Sequence, residues 1–153
     1  MMKAWLPVLK RTAVCIGVLF GCISTAGAVQ LVTPQEAASP DDPRGATRGG
    51  PTPGPNIEVV LPSLLALVKS PFHLKITFKA HGGAVIDRDS IMITYRKVPA
   101  IDITQRIGTF IRGDVIEIPD AELPEGSHPF RVDVRDSRGR SGAPLFFKIG
   151  VAK

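Results

Sequence analysis

Apolar and polar residues alternate along much of the second two-thirds of the chain. Phe72-His73-Leu74-Lys75-Ile76-Thr77-Phe78-Lys79 alternates without a slip, and Ile91–Arg96 and Phe130–Arg135 repeat the theme. Leu145, Phe147, Ile149 and Val151 form the inner row of a last segment; shorter candidates are Ile57–Leu61 and Val115–Ile118. A period of two sends successive side chains to opposite faces, so each segment predicts a strand with one buried and one wet face. Turn-forming clusters separate them: His81-Gly82-Gly83, Arg112-Gly113-Asp114, Pro124-Glu125-Gly126-Ser127 and Ser137-Arg138-Gly139-Arg140. Two stretches are ambiguous. Ser63–Val68 suits a strand or a helical turn, and Ile101–Ile107 suits a short helix because Asp102 and Arg106 stand at i and i+4. Short strands with one wet face and regular turns predict an all-β fold, an antiparallel sandwich of about seven strands over residues 56–153. Those positions hold 34 Val, Ile, Leu or Phe residues, enough for a core.

The start of the chain follows a different pattern. Lys3, Lys10 and Arg11 precede an eleven-residue apolar run, Ala13–Ile23, and Ala26 and Ala28 then fit an A-x-A cleavage site. This is the layout of a signal peptide over residues 1–28, and eleven residues fall short of the about 20 that a membrane-spanning helix needs. Two alternatives stay open: Leu19-Phe20-Gly21-Cys22 resembles a lipobox that would lipidate Cys22, and an uncleaved segment would act as an N-terminal anchor. Residues 29–55 predict a disordered linker. Thr33–Pro55 carries six prolines and four glycines and no Val, Ile, Leu, Met or aromatic residue, so it has no apolar surface to offset its ordering entropy. Such a segment is either an untidy N-terminus or a spacer holding the domain off a membrane.

Charge and cysteine content agree with export. The formal +5 falls to +2 once the three N-terminal cations are set aside, too little for a nucleic-acid footprint. Both cysteines, Cys15 and Cys22, lie in the apolar run, so the domain has neither a disulfide nor a thiol nucleophile. The expected location is periplasmic or extracellular, with membrane contact only through a retained signal or a lipidated Cys22.

The stretch Leu123–Arg140 (LPEGSHPFRVDVRDSRGR) resembles the final hairpin of bacterial immunoglobulin-like and fibronectin-III-like domains, which run "L-P-x-G, aromatic or His, alternating strand, D-x-x-G, alternating strand". Ile86-Asp87-Arg88-Asp89-Ser90-Ile91 resembles their approach to strand C. The resemblance covers roughly residues 57–153 and implies an Ig-like sandwich without implying a function, since such domains serve as adhesins, spacers, enzyme appendages and envelope adaptors. It also implies that His128 is a corner residue bonded to backbone. The family's inter-sheet disulfide and strand-C tryptophan are missing, with Tyr95 the nearest substitute for the latter.

Candidate chemistry is sparse. His73, His81 and His128 match no zinc spacing, though with Met92 they offer an alternative, copper-type metal site. Asp87 and Asp89 suit turn and cap hydrogen bonding better than calcium, which takes six to eight oxygens. Gly139-Arg140-Ser141-Gly142 is not a nucleophile elbow, and no glycine-rich phosphate loop precedes a helix. No catalytic residue and no cofactor is expected. The sharper expectation is a surface. Strands C, F and G of an Ig-like sandwich share a sheet, whose outer face would carry Met92, Thr94, Arg96, Arg131, Asp133, Arg135, Phe146 and Lys148. An exposed Phe among arginines has the composition of an interface core; the plainer reading is a solvated face with one stray Phe. The partner-binding set is therefore Met92, Arg96, Arg131, Arg135, Phe146 and Lys148, the expected partner a protein of the cell envelope, and the alternative an anionic glycan held by Arg96, Arg131, Arg135 and Lys148.

Overall fold

The computed structural model describes residues 27–45, 50 and 52–153. Almost all of the expected signal peptide, and the lipidation site at Cys22, lie outside them. In chain order the elements are β1 (Val29–Gln30), α1 (Pro34–Ala37), β2 (Asn56–Leu61), β3 (Phe72–Lys79), β4 (Ile86–Tyr95), β5 (Ile101–Asp102), α2 (Thr104–Ile107), β6 (Ile111–Arg112), β7 (Val115–Glu122), β8 (Gly126–Asp136) and β9 (Leu145–Val151). One sheet has the order β1-β7-β3-β2, with β6 also on β7; the other has the order β5-β4-β8-β9. All pairings are antiparallel except β1 with β7. The fold is an all-β, Ig-like sandwich.

The alternation read from the sequence decides what fills it. Leu74, Ile76 and Phe78 of β3 and Ile116 and Ile118 of β7 face Ile91, Ile93 and Tyr95 of β4, Phe130, Val132 and Val134 of β8, and Phe147 and Ile149 of β9; all are buried. Tyr95, wholly buried, sits 5.2 Å from Phe130 between ring centroids, and Phe130 lies 5.5 Å from Phe147. Strand β7 runs past Pro119, where the alternation breaks. Leu74 pairs with Ile118 but Phe72 pairs with Ala121, so β7 carries an extra residue there. A bulge needs no ladder N–H at that point, which is where proline is tolerated in a strand.

The two ambiguous stretches resolve differently. Ser63–Val68 is neither strand nor helix; it is a turn in which Val68 alone bridges to Val151. Ile101–Ile107 divides into the two-residue strand β5 and the one-turn helix α2, where Asp102 accepts from the Thr104 N–H and does not pair with Arg106. Ile103 and Ile107 plug the side of the core.

The disordered linker expected over residues 29–55 is corrected for its described part, residues 29–45 and the stretch around Gly54. Val29–Gln30 extends the first sheet beside β7, and Leu31 and Val32 are buried. Leu31 reaches the middle of the core, against residues of both sheets. Thr33 and Glu36 form a reciprocal capping box at α1. Glu36 then takes both guanidinium nitrogens of Arg106, at 2.8 and 2.5 Å, while Arg106 also donates to the Leu31 carbonyl. Further on, Val98 N–H donates to Pro40, Asp42 N–H donates to Arg96, and Asp41 pairs with Lys97 at 2.7 Å. At the other end of the expected linker, Gly54 and Gly142 let two backbone segments meet so closely that a Cβ at Gly54 would collide with the Ser141 carbonyl. The composition argument failed because Leu31 and Val32 precede the polar window, and because ion pairs and main-chain bonds hold what apolar burial does not.

Candidate functional site

The outer face of the β5-β4-β8-β9 sheet gathers most of the residues that the sequence singled out. Register fixes their rows. Met92 stands opposite Asp133; Thr94, Arg131 and Phe146 form one row across three strands; Pro129 and Lys148 stand opposite each other in the next, with Arg96 bonded to the Pro129 carbonyl. The side chains point outward because their odd–even partners fill the core.

Phe146 is not the freely exposed ring expected. It is half-buried, with the Arg96 guanidinium 5.0 Å and the Arg131 guanidinium 5.7 Å from its centroid. At such distances a cation over an aromatic ring contributes about 0.5–1 kcal/mol at a solvated site. Arg131 also pairs with Asp133 at 2.6 Å, leaving its Nε and the second Asp133 oxygen buried without a partner. Met92, 43% exposed, rims the patch. A groove of about 600 Å³ runs alongside it, lined by Met92, Arg131, Asp133 and Arg135 and, across from them, by Thr104 and Gln105 of α2.

Charge on this face is not set by its own strands alone. Asp42, from the N-terminal segment, lies 3.5 Å from Arg96, and Arg96 also donates to the Arg44 carbonyl. The Arg44 side chain bonds Asp42 as well and, with Arg96 nearby, holds that carboxyl below the ordinary aspartate range. Arg96 and Arg131 are thus already paired. Lys148 and Arg135 are exposed, but Lys148 stands opposite Pro129, six positions from Arg135 along β8, or about 20 Å at strand rise. That is more than twice the Debye length of about 8 Å at physiological salt. The four cations form no single anion-binding cluster. Asp42 and Arg44 were missed because they stand more than 50 positions from their partner in a segment read as linker.

The three histidines do not meet. His73 faces outward from the first sheet and bonds Glu117 at 3.1 Å. His81 is in the β3–β4 loop, where its carbonyl accepts from Arg140. His128 fills the inner face of the β5-β4-β8-β9 sheet, and Met92 lies on the outer face of that same sheet. Among the described residues no three metal-ligating side chains are gathered, so the copper-type alternative loses its geometry. His128 does bond backbone, as the resemblance implied: its Nε2 lies 2.8 Å from the Pro124 carbonyl, and its Nδ1 lies 2.9 Å from the Tyr95 hydroxyl. A carbonyl only accepts, so Nε2 carries the proton; burial disfavours the cation, so Nδ1 is bare and Tyr95 donates to it. Burial likewise pushes the Tyr95 hydroxyl up to about 12.

The D-x-x-G motif is a turn lock. Asp136 is buried, and its carboxylate accepts from the Arg138 and Arg140 N–H groups and from the Arg140 guanidinium. Burial alone would raise its pKa; these donors outweigh it and hold it low. Gly139, at φ 73°, supplies the left-handed step. Asp87 and Asp89 serve turn geometry too, the Asp89 N–H donating to the Asp87 carboxylate.

No family model matches the chain, and no curated protein is similar to it. Among solved structures it is similar to fibronectin(III)-like modules of Clostridium thermocellum CbhA, at 17% identity and a TM-score of 0.37, over 63% of this chain and 96% of that one. A likeness of that size says nothing about what the chain binds.

Proposed function

We propose that the chain is an exported, non-catalytic binding module whose partner is a protein of the cell envelope, engaged through the outer face of β4, β8 and β9. One observation carries the reading: Phe146, on the edge strand β9, lies beneath two guanidinium groups, with Met92 exposed at the rim. Aromatic residues, Met and Arg are the residue types enriched in protein interfaces, and a preset cluster loses little freedom on docking. The spread of Lys148 and Arg135 speaks against a glycan polyanion on the same face. Export rests on the basic, apolar and small-residue layout of the first 28 positions.

In-cell photo-crosslinking from Met92, matched by a probe at Thr77 on the outer face of the opposite sheet, tests it. The expected result is a discrete protein adduct from position 92 alone, weakened by Phe146→Ala while the fold stays intact. Equal adducts from both positions, or none from position 92, would sink the proposal.

A further inference from the structure

We propose, resting on the outer-face function above, that the segment Pro40–Arg44 is an internal stand-in for the partner. The partner supplies an extended acidic segment whose carboxylates replace Asp42 on Arg96 and Asp41 on Lys97. The segment Pro40–Arg44 runs along the end of β4, with Asp41 bridging antiparallel to Lys97. The Val98 N–H donates to the Pro40 carbonyl at 2.9 Å, and the Asp42 N–H to the Arg96 carbonyl at 3.2 Å. Asp41 pairs with Lys97 at 2.7 Å and Asp42 with Arg96 at 3.5 Å.

Main-chain bonds and charge hold this stretch. Its two prolines are exposed, and it has no other apolar residue. Such contacts are individually weak in water, unlike the burial of Leu31 and Val32 upstream, so the stretch lifts while the core stays closed. While docked, it covers the outer-face cluster. The Arg96 guanidinium stands 5.0 Å from the Phe146 ring centroid, yet the Arg96 side chain is only 14% exposed, beneath Asp42 and the Arg44 carbonyl. A partner that uses Arg96 and Phe146 together has to take the place of this segment.

Charge selects the occupant. Lys97 is buried, and lifting the segment strips it of Asp41. A buried cation left alone is costly, so the replacement has to bring a carboxylate; an apolar or basic segment leaves that cost standing. The Val98 N–H and the Arg96 carbonyl, freed at the same time, are answered by an extended main chain, as in strand addition. On the face itself Arg131 is taken by Asp133, and Asp102 of β5 accepts from the Thr104 N–H, which leaves Arg96 and exposed Lys148 for an outside anion. Asp120, Glu122 and Glu125 share this end of the sandwich but stand on β7 and the turn after it, and among the described residues none pairs with Arg96 or Lys97.

The probe is a labelled peptide with capped ends and the sequence of Ser39–Arg44, and its control carries asparagine for both aspartates. The proteins are the full-length parent and the double variant Asp41→Asn, Asp42→Asn. By fluorescence anisotropy the acidic peptide should bind the double variant, and bind the parent about tenfold more weakly because the parent's own segment competes at high effective concentration. Adding Arg96→Gln to the double variant should weaken binding about tenfold, as loss of one charged hydrogen bond does. Urea unfolding covers a double variant that folds poorly: the acidic peptide, and not the control, should raise its midpoint. Equal binding of the two peptides, equal binding to parent and double variant, or neither binding nor a midpoint shift overturns the proposal. The peptide needs no envelope protein, so the two failures are distinct: a missing adduct at position 92 sinks the outer-face function, and a failed peptide sinks the acidic partner alone.

Discussion

The Tyr95–His128 bond shows how two polar side chains can sit in an apolar interior. The Tyr95 hydroxyl donates to the His128 Nδ1, and the His128 Nε2–H donates to the Pro124 carbonyl. Tyr95→Phe keeps the ring and removes the donor, leaving the His128 Nδ1 buried and unpaired. It should destabilise the fold by about 1–3 kcal/mol in urea unfolding. Acidification probes the same pair. The folded pKa of His128 lies below its unfolded value of about 6.5, so the unfolded chain takes up the proton first. Stability is full above about pH 6.5 and is lost as pH falls toward and through the depressed folded value. In His128→Gln that part of the pH dependence should vanish; a curve parallel to the parent's would place its origin elsewhere. The sequence shows that His128 opens an alternating strand, and the resemblance supplied its backbone bond. The Tyr95 partner is 33 positions away, and no local signal marks it.

At the scale of elements, the strands with strict alternation were legible to within a residue or two, since burial of one face is what both creates and records the pattern. Phe72–Lys79 and Leu145–Val151 are such cases. The N-terminal segment was not legible, because main-chain bonds, a capping box and ion pairs leave no periodicity. Leu31→Ala removes a core residue from that segment and should cost about 2–5 kcal/mol, the range for buried Leu-to-Ala changes; a disordered linker would tolerate it. The Glu36–Arg106 pair adds an acid-labile component. The Arg106 hydrogen bond lowers Glu36 from 4.5 to about 2, so its contribution is present above pH 4.5 and lost as pH falls through about 2. Glu36→Gln should flatten the unfolding-midpoint curve in that window and leave the His128 window untouched.

Across the described residues, residues 27–45 and the sandwich form one folded unit. Lys97 is buried, its ammonium 5.5 Å from the Tyr95 ring, and the described carboxylate paired with it is Asp41. A chain reduced to residues 56–153 would leave that charge without its partner, with Ile103 and Ile107 no longer covered by Leu31. It should unfold at lower urea than the longer chain and bind more of a hydrophobic dye; matching midpoints would show the segment to be dispensable. The candidate face was half legible. Alternation placed Met92, Thr94, Arg131 and Phe146 on one side, but the neutralisation of Arg96 comes from a distant segment that only the fold brings near.

The parallel pairing of Val29 with Ala121 joins positions ninety-two residues apart. A ribosome or an export channel delivers the chain N-terminus first, so the earliest strand to emerge waits for one of the last. Until β7 is out, Leu31 and Val32 have no core to enter and β1 has no edge to join. Closure of this seam is therefore a late event paced by synthesis or translocation, and the half-made protein presents an apolar dipeptide to whatever chaperone accompanies it.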